Sequence, residues 1–167
     1  MSRILVIPDS HLKAFIFQDA SQVLDAKKAD YAVCLMDIPD EWNQQYNLDL
    51  YDSMFQSVME FQKKHPDTLW CYGNHDCSYL WRKRESGYSD SAANLVNMRL
   101  NQLIREIPEG NIKYLFRRDR LIFSHGGLTA PFVQDYVPDS LWDNIDLTID
   151  YINTLGASHI WNDISPI

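Results

Sequence analysis

The period of apolar and polar positions changes repeatedly along the chain, and each change marks an element. Arg3-Ile4-Leu5-Val6-Ile7 is a short apolar, β-branched run, the pattern of a buried strand, and Pro8-Asp9-Ser10-His11 ends it. Residues 13–28 predict a helix whose apolar side is Phe15, Ala20, Val23 and Leu24. Tyr31 to Leu35 reads as a second buried strand, closed by Asp37-Ile38-Pro39-Asp40. From Leu48 to Lys64, Leu50, Met54, Val58 and Phe61 recur at helical spacing. Lys63 and Lys64 suit the last turn of that helix, and His65 and Pro66 belong to its stop signal.

Thr68 to Tyr72 is a third strand. A helix starting at Ser89 or Asp90 and ending at Ile107 carries Ala93, Val96, Leu100 and Leu103 on one face. After the turn at 108–111, residues 112–116 and 121–123 predict an antiparallel pair around the charged tip 117–120. Short helices are expected near 131–136 and 140–155. Alternating strands and helices in the first half predict a parallel sheet with helices on both faces, and the hairpin adds antiparallel strands. The class is α/β with a mixed sheet.

Length and composition narrow this picture. A chain of 167 residues suits one domain with a sizeable core. The net charge of -8 argues against an extended nucleic-acid surface, though not against a small phosphorylated ligand. The N-terminus lacks the long apolar segment of a signal peptide, and no run is long enough to span a membrane. With three cysteines and no such leader, a reduced, cytoplasmic protein is expected. Cys71 and Cys77 flank "CYGNHDC", but C-x5-C without a second pair is a poor zinc site. Packing is the expected role of Cys34 and Cys71.

Polar residues gather at the strand ends: Asp9 and His11, then Asp37 and Asp40, then Asn74 and His75, then His125 in Ser124-His125-Gly126-Gly127. Each pair has an ordinary reading. Asp-x-His can cap a helix, Asp-Ile-Pro-Asp can be a turn, and Gly-Gly can be a loose loop. Ligands of open α/β sheets bind outside the carboxyl ends of strands. The ordered set therefore predicts one site of oxygen and imidazole donors, suited to Mn²⁺, Fe, Zn²⁺ or Mg²⁺.

These blocks resemble the calcineurin-like metallophosphoesterase superfamily, whose order is D-x-H, G-D-x-x-D, G-N-H-D/E, H and G-H-x-H. Asp9-Ser10-His11, Asp37-Ile-Pro-Asp40 and Gly73-Asn74-His75-Asp76 match the first three. Ser124-His125-Gly126-Gly127-Leu128 and Ile160-Trp161-Asn162-Asp163 are similar to the protein serine/threonine phosphatase and diadenosine-tetraphosphatase branch. The resemblance implies a mixed β-sheet sandwich flanked by helices, shortened at its C-terminus, in a single domain over 1–167. It implies a dinuclear phosphoesterase using two divalent ions, Mn²⁺ foremost, on a phosphomonoester, nucleotide or phosphoprotein. Asp9 and His11 would hold the first ion, Asp37 would bridge, and Asn74 and His125 would hold the second. A hydroxide bridging the ions would attack phosphorus. His75, oriented by Asp40, would protonate the leaving group.

Three departures accompany the match. Met36 stands where the pattern has glycine, so a side chain there crowds the turn or shifts Asp37. Glu41 stands where the phosphatase branch has a phosphate-binding arginine, leaving Arg82, Arg84 or the 117–120 tip as candidate contacts. No G-H-x-H follows, and His159 is a poor substitute. The chain is then either incomplete at its C-terminus or a short form with a weakened site. The rival function is a degenerate member that binds metal or a partner without turnover. The basic, aromatic stretch from Ser78 to Ser89 is either a solvated loop or a surface on which a nucleotide base stacks.

Overall fold

A computed structural model describes residues 2–155. The parallel sheet consists of β1 (Ile4–Ile7), β2 (Tyr31–Cys34), β3 (Leu69–Cys71) and β4 (Ile112–Lys113), adjacent in that order. The register pairs Ile7 with Cys34 and Cys34 with Trp70, so β1 and β2 end level and β3 ends one residue further on. The connecting helices are α1 (Phe15–Asp25), α2 (Leu48–Lys64), α3 (Asn74–Trp81) and α4 (Ala93–Glu106).

Alternation along the strands divides the core. Ile7, Ala32, Cys34 and Trp70 pack on one side with Phe17, Tyr51, Phe55, Val96 and Leu100 of the helices. Val33, Leu69 and Cys71 face the opposite way, onto Phe116 and Phe123. Those two phenylalanines belong to the hairpin of β5 (Leu115–Arg118) and β6 (Leu121–Ser124), which pair antiparallel. Leu115 turns outward from that hairpin, towards α5 (Ala130–Tyr136) and α6 (Ile145–Ile152). The result is layered helix, sheet, sheet, helix. Helices flank both sides of the sandwich, as expected. The parallel sheet itself carries helices on one face only, because the hairpin forms a separate sheet over the other.

Several element boundaries differ from the sequence reading for local reasons. The run 112–116 is not one strand. The Asn153 side chain accepts the N–H groups of Tyr114 and Leu115 (3.0 and 3.1 Å) and donates to the Leu115 carbonyl (3.0 Å), so the chain leaves one sheet for the other there. In α1 the inward residues are Phe17 and Ala20, while Phe15 is exposed. The polar stretch after β3 is the helix α3, with Gly73 at its N-cap. α2 follows its periodicity: Asn47 accepts from the Leu50 N–H, and Tyr51, Met54, Phe55, Val58 and Phe61 are buried. His159 and Trp161 to Asp163 lie outside the described residues.

Candidate metal centre

The loop after β1 is sewn to the loop after β2. The His11 N–H donates to the Asp37 carbonyl (2.8 Å) and the Leu12 N–H to that of Ile38 (3.0 Å). Asp9-x-His11 is therefore not a helix cap; the N-cap of α1 is Ala14, without a side-chain bond. The two loops need left-handed backbone at non-glycine residues: His11 (φ 37°), Leu12 (58°), Met36 (58°), Asp37 (44°) and Asp40 (70°). Such conformations cost energy and persist only where surrounding contacts hold them. Met36 takes this turn with its side chain fully buried in the core.

Asp37 is the centre of the site. It is almost fully buried, and its Oδ2 lies 3.1 Å from His125 Nε2 and 3.9 Å from His11 Nε2. Each histidine is turned by its other nitrogen. His11 Nδ1 donates to the Asp40 carbonyl (3.0 Å) and His125 Nδ1 to that of Leu35 (2.8 Å). This leaves both Nε2 atoms aimed at one carboxylate, the orientation that outer contacts impose on ligating imidazoles. Asn74 Oδ1 is 3.0 Å from His125 Nε2, and Asp9 Oδ1 is 3.5 Å from His125 Nδ1. Ligand atoms of Asp9, Asp37 and His125 all lie within 4.8 Å of one another, close enough to share an ion.

The electrostatics fit a cation. Burial disfavours the imidazolium of His125, but the Asp37 carboxylate outweighs it and, helped by the Leu35 carbonyl and Asp9, raises the pKa to about 9. His125 Nε2 lies between Asp37 Oδ2 and Asn74 Oδ1, both of which favour a proton there. A dication bound to Nε2 would displace it. Carboxylate, imidazole and amide oxygen, without thiolate, suit Mn²⁺, Fe, Zn²⁺ or Mg²⁺. The three cysteines are free and buried, Cys34 and Cys71 as their strand patterns predict.

Beside this cluster, His75 Nδ1 lies 2.9 Å from Asp40 Oδ2. Burial works against the charged His75 ring, but the Asp40 hydrogen bond and the charges of Asp37, Asp40 and Asp76 raise its pKa. Asp40 is itself buried, and its Oδ1 accepts from the hydroxyls of Tyr51 and Tyr79. The rings of His11 and His75 meet edge to face at 5.1 Å. Asp9, Asp37 and His125 thus form one group, with His11 against Asp37, Asn74 against His125 and the His75–Asp40 pair alongside.

Three residues have roles that their sequence positions do not suggest. Asp76, in the first turn of α3, is fully buried and accepts the backbone N–H groups of Asp37 (2.7 Å) and Ile38 (3.1 Å). Burial and the nearby Asp37 push its carboxyl up to about 8. Tyr79 is no exposed stacking surface: it is buried, stacked on Tyr88 and bonded to Asp40. Gly73 has an ordinary extended φ of −94°, so no special turn requires it. Space requires it instead, since a Cβ there would lie 2.1 Å from Asp37 Oδ1.

Neither a curated protein nor a solved structure matches the chain. The family model described as calcineurin-like phosphoesterase matches residues 2–164. With that match spanning nearly the whole sequence and the histidine–carboxylate cluster inside it, the chain belongs to the calcineurin-like phosphoesterase family.

Proposed function

We propose that the protein is a metal-dependent phosphatase that hydrolyses a small phosphate ester or a phosphoprotein, with Mn²⁺ as its preferred ion and the cytoplasm as its location. The observation that carries this reading is the convergence of His11 Nε2 and His125 Nε2 on Asp37 Oδ2, with the His75–Asp40 pair alongside. Asp9 and His11 would hold one ion, Asn74 and His125 the other, and Asp37 would bridge them. The bound ions would supply Lewis acidity for the phosphoryl oxygens and acidify the attacking water.

The remaining chemistry falls to this chain's own side chains. His75, whose charged form the Asp40 hydrogen bond favours, would present Nε2 as a proton donor to the leaving oxygen. Asp40 fixes the ring, and the two tyrosine hydroxyls fix Asp40. The Ser124-His125-Gly126-Gly127 run supports kinship with the protein-phosphatase and dinucleoside-polyphosphatase branch. Buried, unbridged thiols agree with a reducing compartment. Among the described residues no helix is long and apolar enough to cross a membrane. With Met36 in a left-handed conformation Asp37 still lies 3.1 Å from His125, which supports the catalytic reading over a degenerate site.

The test uses two phosphate monoesters, one with an aryl and one with an alkyl leaving group. Mn²⁺-loaded protein turns over both. His75→Ala lowers kcat by about 10²–10⁴ for the alkyl ester and less for the aryl ester, whose leaving group needs no proton. Absence of turnover, or equal losses on both, contradicts the assignment.

A further inference from the structure

The cleft beside His75 is closed on one side by His11, Lys13, Glu41 and Trp42. Lys13 is the one lysine or arginine among the described residues lining it. The arginines that the sequence offers as phosphate contacts lie elsewhere: Arg84 pairs with Asp90 (2.7 Å) and Arg117 with Asp146 (2.8 Å), and neither lines the cleft. Lys13 instead makes a close ion pair with Glu41, and its Nζ also lies 3.4 Å from the His11 carbonyl. Glu41 is steadied from behind by the Trp42 N–H, at 3.1 Å from its Oε1. An ammonium is thus held at the His11 backbone, on the wall of the cleft that the His11 and His75 side chains also line.

We propose that Lys13 is the cation that binds the substrate's phosphate, held at the cleft by Glu41 until the phosphate displaces that carboxylate. The proposal rests on the phosphoesterase reading of the adjoining centre. Glu41 alone would repel a phosphate ester from this wall. Paired with Lys13, it neutralises the ammonium and holds its long, flexible side chain in one place. Both side chains are partly exposed, 46% and 31%, and such pairs contribute little to stability, so a change of partner is cheap. A phosphoryl group carries more charge and more acceptor oxygens than a carboxylate, and a lysine ammonium meets it as a point charge. Glu41, freed, turns to solvent.

The test is calorimetric titration of inorganic phosphate into the Mn²⁺-loaded full chain, with KM for an aryl phosphate measured in parallel. Lys13→Ala weakens phosphate binding about tenfold or more and raises KM alike, with kcat little changed. Lys13→Arg restores most of the loss. Glu41→Gln, which removes the competing charge, tightens phosphate binding and lowers KM. The proposal is overturned if Lys13→Ala binds phosphate as the wild type does, if Glu41→Gln weakens binding as Lys13→Ala does, or if the wild type binds no phosphate. A protein that binds phosphate through Lys13 but hydrolyses no ester keeps this assignment and refutes the phosphatase reading alone.

Discussion

The backbone N–H of Asp37 donates to the carboxylate of Asp76 across 2.7 Å, tying the end of β2 to the first turn of α3. The Asp37 side chain replies by accepting the His75 N–H at 2.9 Å. The central carboxylate is thereby fixed from both ends by one short segment. Asp76→Ala would leave two buried N–H groups unpaired, at about 1–3 kcal/mol each. Mn²⁺ affinity should fall about 10–100-fold, the usual effect of losing a contact that orients a ligand. Calorimetry and chemical denaturation measure both, and Asp76→Asn, which keeps one acceptor oxygen, should fall between.

Gly73→Ala tests the space between those two aspartates. The backbone tolerates alanine, but the new Cβ would meet Asp37 Oδ1 at 2.1 Å and both Asp37 N and Asp76 Oδ2 at 2.8 Å. Asp37 must move. The variant should lose most Mn²⁺ binding and turnover while its circular dichroism stays native, because the clash is local. Retention of wild-type Mn²⁺ affinity would show that Asp37 is not the shared ligand.

Met36→Gly restores the residue type of the family pattern, yet it should destabilise the protein. Relief of the left-handed conformation is worth about 1–2 kcal/mol. Removing a fully buried methionine side chain costs about 2–5 kcal/mol even to alanine. Packing wins, and urea denaturation should show a net loss.

Protonation of His125 couples stability to pH in protein stripped of metal. Its folded-state pKa, about 9, is above the ordinary 6.5. Its contribution is therefore complete below about pH 6.5 and lost as pH rises through about 9, on the order of 3 kcal/mol in all. Mn²⁺ binding runs the other way and tightens over the same interval, because the Nε2 proton must leave. Melting curves with chelator and with Mn²⁺ across pH 6–10 should diverge accordingly.

The strands and the two long helices were legible because α2 and α4 bury clear stripes and β1 to β3 are short apolar runs between turns. The gathering of polar residues at the strand ends was legible because they stand out against apolar strands. The switch of sheets at Tyr114 was not, since it depends on Asn153, which lies 39 positions later in the chain. The role of Asp76 is hidden for the same reason: a carboxylate in the first turn of a helix looks like a helix-end charge until its partners, Asp37 and Ile38, are seen. Lys13 and Glu41 meet only because the loops after β1 and β2 are stitched together.

The central claim is that Asp37 holds the divalent ions on which phosphate-ester hydrolysis depends. The most direct measurement is the initial rate of aryl phosphate hydrolysis as Mn²⁺ is titrated into chelator-stripped protein, wild type beside Asp37→Asn. The account predicts no rate without metal, saturable activation of the wild type, and a flat response from the variant. Hydrolysis that persists in chelator, or equal activation of Asp37→Asn, would contradict it.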